Sequence, residues 1–192
     1  MREFLDLDKR DREILSLLEL NPEISQNDMA EKLKISQPSV SARVHKLKQK
    51  GALSHVVGMN LKKVNLYMAK VDVIANNTSS VLEIFKECPY FLNGLIVSGK
   101  YNLCLFFIGE DIATLEAIVD GHLRSNPLVK GAEVSIVITT MKDLVMPVKM
   151  SFDISSTPPC GNGCNCKECA HHISNRCLGC PVTNSYSGNI WK

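Results

Sequence analysis

Between Lys32 and Val71 the sequence has no aspartate and no glutamate, although over its 192 residues 22 basic side chains nearly balance 20 acidic ones. The gap excludes an ordinary mixed-charge surface for this stretch. It is filled by nine cations, Lys32, Lys34, Arg43, Lys46, Lys48, Lys50, Lys62, Lys63 and Lys70. The acid is concentrated ahead of it, where residues 1–31 hold nine carboxylates against Arg2, Lys9, Arg10 and Arg12. With a net charge of only +2, the positive field is a local separation, and a one-sign surface of this length suits phosphate.

Other absences narrow the class further. No apolar run approaches the length of a membrane span, and the N-terminus MREFLDLDKRD is too acidic and polar for a secretion signal, so a cytoplasmic protein without membrane contact is expected. There is no phosphate-binding loop and no nucleophile–base pairing, so no hydrolase or transferase is expected. Aromatics make up 6% of the chain with one tryptophan. What is present, 45% hydrophobic and 22% charged residues, suffices for one or two globular domains with cores.

The basic stretch carries a helix-turn-helix pattern. Asp8 to Leu20 reads as a first helix, with Asp8 as its cap and Ile14, Leu15, Leu17 and Leu18 on its apolar side. Ser25 and Asp28 resemble a capping box ahead of Met29, Ala30 and Leu33. Ser36 offers a second N-cap, with Pro38 in the first turn and Val40, Val44 and Leu47 at i, i+4 and i+7. Gly51 closes this third helix, and Ser54 to Leu61 reads as wing strands and linker. The face opposite the apolar stripe carries Pro38, Ser39, Ala42, His45, Lys46 and Gln49, with Ser41 and Arg43 on its flanks; Gln37, Ser39, Ser41, Ala42, Arg43, His45, Lys46 and Lys50 are the candidate contacts to double-stranded DNA in a major groove.

From Leu66 the rhythm changes to strands at Tyr67–Ile74, Leu92–Ser98, Tyr101–Ile108 and Glu133–Ile138, with helices at Ser79–Cys88 and Ile112–Ser125. The order βαββαβ is the ferredoxin-like split unit, an antiparallel sheet with both helices on one face. Gly99-Lys100 is its hairpin signal. The uncovered sheet face, with alternating apolar residues from Leu92 to Ile108, predicts a homodimer or larger even oligomer. Cys88 and Cys104 read as small buried hydrophobes.

LKISQPSVSARVHKLKQKGAL followed by SHVVGMNLKKVNL resembles the signature of the leucine-responsive regulator / AsnC family of transcription factors, and the resemblance covers roughly residues 3 to 140. It implies a DNA-binding transcription regulator whose second domain dimerises through its sheet and takes small effectors near the turn between the middle strands. The matching residues are Gly99, Tyr101 and Asn102. The family commonly has an acidic residue where Asn102 stands, so recognition of an ammonium group does not carry over, and a turn that only shapes a dimer interface is the alternative.

Six of the eight cysteines fall between Cys160 and Cys180. In a reducing compartment they argue for metal or redox chemistry rather than disulfides. Cys160, Cys164, Cys166, Cys169, Cys177 and Cys180 include two C-x2-C pairs, each able to grip one ion, after a Ser/Pro linker at 155–159. Apolar groups after Cys160 are limited to Ile173, Leu178, Val182, Tyr186, Ile190 and Trp191, too few for a core, so the ion is expected to supply the folding energy. Six thiolates exceed one tetrahedral site, so either some are spare or the site is not a simple structural zinc. Zinc, Cu(I) and an iron–sulfur cluster all fit. His171 and His172 read as bystanders. In layout the tail resembles small archaeal cysteine-rich modules attached to metal-responsive regulators.

The expected organisation is α+β: a winged helix-turn-helix (1–62), a ferredoxin-like effector and oligomerisation domain (63–150), a linker (151–159) and a metal-stabilised tail (160–192). The expected function is a DNA-binding regulator answering a thiophilic metal or the redox state. One alternative is an amino-acid-responsive regulator with a structural zinc tail; the other is a metal- or iron–sulfur-dependent enzyme or electron carrier.

Overall fold

The computed structural model describes residues 6–160 and 165–192. The chain divides after Val56 into two compact units.

The first unit holds three helices: α1 (Lys9–Leu20), α2 (Gln26–Leu33) and α3 (Gln37–Gln49). Asp8 caps α1 through a reciprocal capping box, accepting from the Asp11 amide at 2.8 Å while its own amide donates to the Asp11 carboxylate at 3.4 Å. Ser25 caps α2 by accepting from the Asp28 amide at 3.1 Å. Ser36 stands at the N-cap of α3 with Pro38 behind it, but its hydroxyl makes no capping bond. Lys34, with φ at 54°, reverses the chain between α2 and α3 in the left-handed region, and Gly51, with φ at +68°, does the same after α3. Ile14, Met29, Leu33, Val40, Val44 and Leu47 then meet in one core, as their helical spacing requires. Among the described residues this unit has no strand.

The second unit contains β1 (Met59–Asn60), β2 (Tyr67–Ala75), α4 (Thr78–Phe85), β3 (Phe91–Ile96), β4 (Leu103–Gly109), α5 (Ile112–Val119), a π-helical turn (Asp120–Arg124), β5 (Val129–Ile136) and β6 (Val145–Met146). Four antiparallel strands lie in the order β3-β4-β2-β5, the ferredoxin-like arrangement expected. The expected wing over Ser54 to Leu61 takes another form. Its strand, β1, pairs with β6 inside this second unit, so those backbone groups are satisfied there. The hairpin between β3 and β4 is also longer than a two-residue turn: it spans 97–102 and is closed by the Val97 amide donating to the Asn102 carbonyl at 3.1 Å.

The C-terminal residues join this unit. A strap containing Leu144, Met146, Val148 and Phe152 packs against the sheet domain's core, and Trp191, only 8% exposed, is part of that core. The Trp191 indole N–H donates to the Lys149 carbonyl at 2.9 Å, and its ring meets Tyr90 and Tyr186 edge-on. Glu110, just past β4, accepts from the Asn189 amide at 2.8–2.9 Å and from the Tyr186 hydroxyl. The tail's few apolar groups therefore complete an existing core instead of needing one of their own.

Candidate nucleic-acid interface and thiol-lined cavity

On α3, Gln37, Ala42, His45, Lys46 and Lys50 are exposed, and Ser39, Ser41 and Arg43 are half-buried. Lys32, Lys34 and Lys48 are exposed beside them. The result is a helix with small and polar residues over its first turns and cations behind, unopposed by acid on the same element. Gln37 also donates to Gln26 at 2.8 Å, fixing the start of α3 against the start of α2.

Arg43 is placed differently from the exposed contact expected of it. Its guanidinium donates to Asp8 at 2.6 Å and to Asp11 at 2.7 Å. Asp11 is fully buried, and a buried carboxylate needs a partnered charge, so Arg43 locks α3 to α1. The Arg43 hydrogen bond holds the Asp8 carboxyl below its usual range. The Lys46 ammonium stands 3.9 Å from Asp11 with half of its side chain exposed, which leaves it largely available to solvent.

At the hairpin, Asn102 is fully engaged. Its side-chain N–H donates to the Ala75 carbonyl at 2.8 Å and its side-chain oxygen accepts from the Ala75 amide at 2.9 Å, sewing the hairpin to the end of β2. The Tyr101 hydroxyl donates to Glu133 at 2.7 Å. A cavity of about 510 Å³ in this unit is bordered by Leu61, Leu66, Met68, Ile136 and Leu144, with none of Gly99, Tyr101 or Asn102 in its wall.

A second cavity, of about 70 Å³, gathers several thiols in its wall. Cys160, Cys166, Cys169, Cys177 and Cys180 line it together with Cys88, which follows α4; His122, His171 and His172 also contribute. Cys164 lies outside the described residues. A 3-10 turn (Cys166–Glu168) presents Cys166, and Cys169 stands at the N-cap of α6 (Ala170–Ile173). The loop from Cys177 to Cys180 is held at both middle residues: the Leu178 amide donates to Thr114 of α5 at 3.0 Å, and the Gly179 carbonyl accepts from Tyr90. Gly179 has φ at +85°, and a side chain there would run into the Ser185 carbonyl at 2.6 Å.

The thiols differ in character. A hydrogen bond from Cys88, followed by one from His122 at 3.5 Å, holds the Cys160 thiol below its usual range against the opposing effect of burial. Burial pushes Cys177 up to about 11 and Cys180 up to about 12. His171 meets Arg176 at 3.1 Å and Asp120 at 3.9 Å, and His172 meets the Cys177 carbonyl at 2.9 Å. Among the described residues, no three His, Cys, Asp or Glu side chains converge tightly enough to hold an ion as they stand. Cys88 is buried, as its sequence context suggests, and it also lines this cavity although it stands 72 positions before Cys160 and outside every ligand-spacing pattern.

With these features in place, the chain can be set beside known proteins. A winged helix-turn-helix DNA-binding model matches residues 7–54. Transcriptional regulator AzlB of Bacillus subtilis (strain 168) is 23% identical over 146 residues, which is 72% of this chain and 93% of that protein. AsnC of E. coli superposes with a TM-score of 0.64 at 19% identity, covering 72% of this chain and 96% of AsnC. The transcriptional regulator NMB0573 of Neisseria meningitidis, solved as a complex with L-Met, gives 0.62 at 23% identity, covering 71% and 93%. The chain thus carries a winged helix-turn-helix DNA-binding domain on the fold of the AsnC/Lrp regulators. The matches take in nearly all of each relative and leave roughly a quarter of this chain unmatched. Among the described residues no helix is long and apolar enough to cross a membrane.

Proposed function

We propose that this chain is a DNA-binding transcription regulator of the AsnC/Lrp type that holds a thiophilic metal in its thiol-lined cavity and answers that metal or the redox state. The observation that carries the regulator reading is the acid-free, cation-backed face of α3 within a capped three-helix unit matching a DNA-binding model. Gln37, Ser39, Ala42 and His45 supply base-edge contacts, and Lys46 and Lys50 meet phosphate. For the metal, five tail thiols share one cavity, and soft sulfur donors suit zinc, Cu(I) or an iron–sulfur cluster. The protein works as a homodimer or larger even oligomer, supported by the exposed Leu95 and Ile96 at the end of β3 and Val97 just after it.

An amino-acid response is the second reading, favoured by the L-Met complex of the similar NMB0573. Against it, both polar ends of the Asn102 side chain are occupied by Ala75. The test is promoter binding by the full chain, purified anaerobically, with and without its metal and with free amino acids. Metal-dependent affinity, with a coupling of about 1–3 kcal/mol, supports the proposal. A response to an amino acid alone supports the second reading, and absence of DNA binding in every state overturns both.

A further inference from the structure

Resting on the metal reading above, we infer that the centre is composite: Cys88 of the sheet domain is one of its sulfur ligands, so the metal clamps the tail to the corner between α4 and β3. Cys88 is buried and forms part of the cavity wall together with Cys160 and four further tail thiols. Its position is fixed by backbone, not by the tail: the Cys88 amide donates to the Phe85 carbonyl at 2.9 Å, and its carbonyl accepts from the Phe91 amide at 3.1 Å. The same corner supplies Tyr90, whose hydroxyl holds the Gly179 carbonyl between Cys177 and Cys180 and whose ring meets Trp191. From the other side Thr114 holds Leu178. The sheet domain thus orients the C-x2-C loop through hydrogen bonds and offers a sulfur of its own to the same space.

The second-sphere bonds have the form that orients metal ligands. The Gly179 amide donates to the Cys177 sulfur at 3.4 Å, and the Thr183 hydroxyl to the Cys166 sulfur at 3.8 Å. Cys104 lies on β4 outside the cavity wall. It has the burial of Cys88 without the sulfur neighbours, so it is the built-in control.

The experiment uses the full chain, stripped of metal and titrated with Cd2+ as the probe. Wild type is expected to take up Cd2+ with sulfur-to-metal charge-transfer absorbance. Cys88→Ser is expected to lose one sulfur from the Cd2+ shell by X-ray absorption and to hold Cd2+ at least tenfold less tightly against a competing chelator, in line with the cost of disturbing a metal's coordination sphere. Cys104→Ser is expected to match wild type. Fluorescence of Trp191, the only tryptophan, reports whether the tail stays docked in each variant, and Cys88→Ala is measured alongside. An unchanged sulfur count and affinity in a docked Cys88 variant overturns the inference while leaving the tail's metal site intact. Failure of wild type to bind Cd2+ overturns the metal reading itself. The anomalous signal of Cd2+ in crystals of the wild type decides without any substitution: a peak within bonding distance of the Cys88 sulfur is expected, and a peak bonded only to tail sulfurs overturns the inference.

Discussion

The N-terminal helices and the C-terminal tail are both short segments, yet they become ordered in opposite ways. The helices bury their own stripes against one another, with Ile14, Met29, Val40 and Leu47 forming a closed core. The tail spends its apolar groups elsewhere: Trp191, Ile190 and Tyr186 enter or flank the core of the sheet domain. A segment too poor in apolar residues to fold alone is not thereby dependent on a metal if a neighbouring core has room for its anchors. A metal bound in the thiol-lined cavity, as proposed, would act on thiols already gathered in its wall and would give the tail a sulfur tether beside its apolar one.

The sharpest way to break this contrast is Trp191→Ala. Removing a large buried aromatic costs about 3–5 kcal/mol, and here the indole's bond to the Lys149 carbonyl is lost as well. Chemical denaturation of the full chain should show the second unit destabilised by that amount. Susceptibility of the tail to proteolysis should rise in the metal-free protein and, if a bound metal supplies the proposed sulfur tether, rise less in the loaded one. Full protection of the metal-free variant would mean that the apolar tether is not what holds the tail.

The corresponding lock of the first unit is electrostatic. Arg43→Ala leaves the buried Asp11 with its helix-capping bonds and the Lys46 ammonium at 3.9 Å, and breaking a partly buried pair of this kind should cost about 2 kcal/mol. Urea unfolding followed by helical circular dichroism checks it. If Arg43 serves as this strut, DNA binding of the folded fraction keeps its salt slope; a slope lowered by one unit would place Arg43 on phosphate after all. Lys46→Ala should do the reverse, with little loss of stability and a salt slope flattened by about one unit. Fluorescence anisotropy on a labelled promoter fragment over a series of salt concentrations measures both.

Legibility in the sequence followed the same division. The caps Asp8 and Ser25 are local signals and the stripes of α1 to α3 and of the strands are periodic ones, so they are readable from the chain even where their partners are remote, as for Ala69 opposite Ile136. Arg43 was read as a DNA contact because periodicity placed it on the flank of α3, and nothing in periodicity shows that Asp8 and Asp11 lie across from it. Asn102 was read through a family position, while its role depends on the end of β2, 27 residues earlier. Trp191 bonds Lys149, 42 positions away, and Cys88 shares a cavity wall with Cys160, 72 positions on. Side-chain pattern carries no record of partners so remote.

The smallest expected effect separates the two tethers by pH. Burial raises the Glu110 carboxyl, but the Tyr186 hydroxyl and the amides of Asn189 and Ile190 outweigh it and hold the group below its ordinary value of 4.5. A carboxyl whose pKa is depressed by folding contributes stability that is present above the unfolded value and is lost as pH falls through the folded one. The docking of the C-terminal residues should therefore hold from neutrality to about pH 4.5 and weaken below it, read as a red shift and quenching of the Trp191 emission. Glu87 is the competing group, since its hydrogen bond with Lys149 also lowers it and Lys149 carries the carbonyl that holds Trp191. Glu110→Gln should remove most of the acid dependence while Glu87→Gln leaves it, because Glu110 binds Asn189 and Tyr186 of the tail directly and Glu87 bonds Lys149 of the strap. The reverse order would move the anchor from the residues after Tyr186 to the strap at Lys149. An acid transition unchanged in both variants would leave the apolar contacts of Trp191 and the cavity thiols as the tail's working tethers.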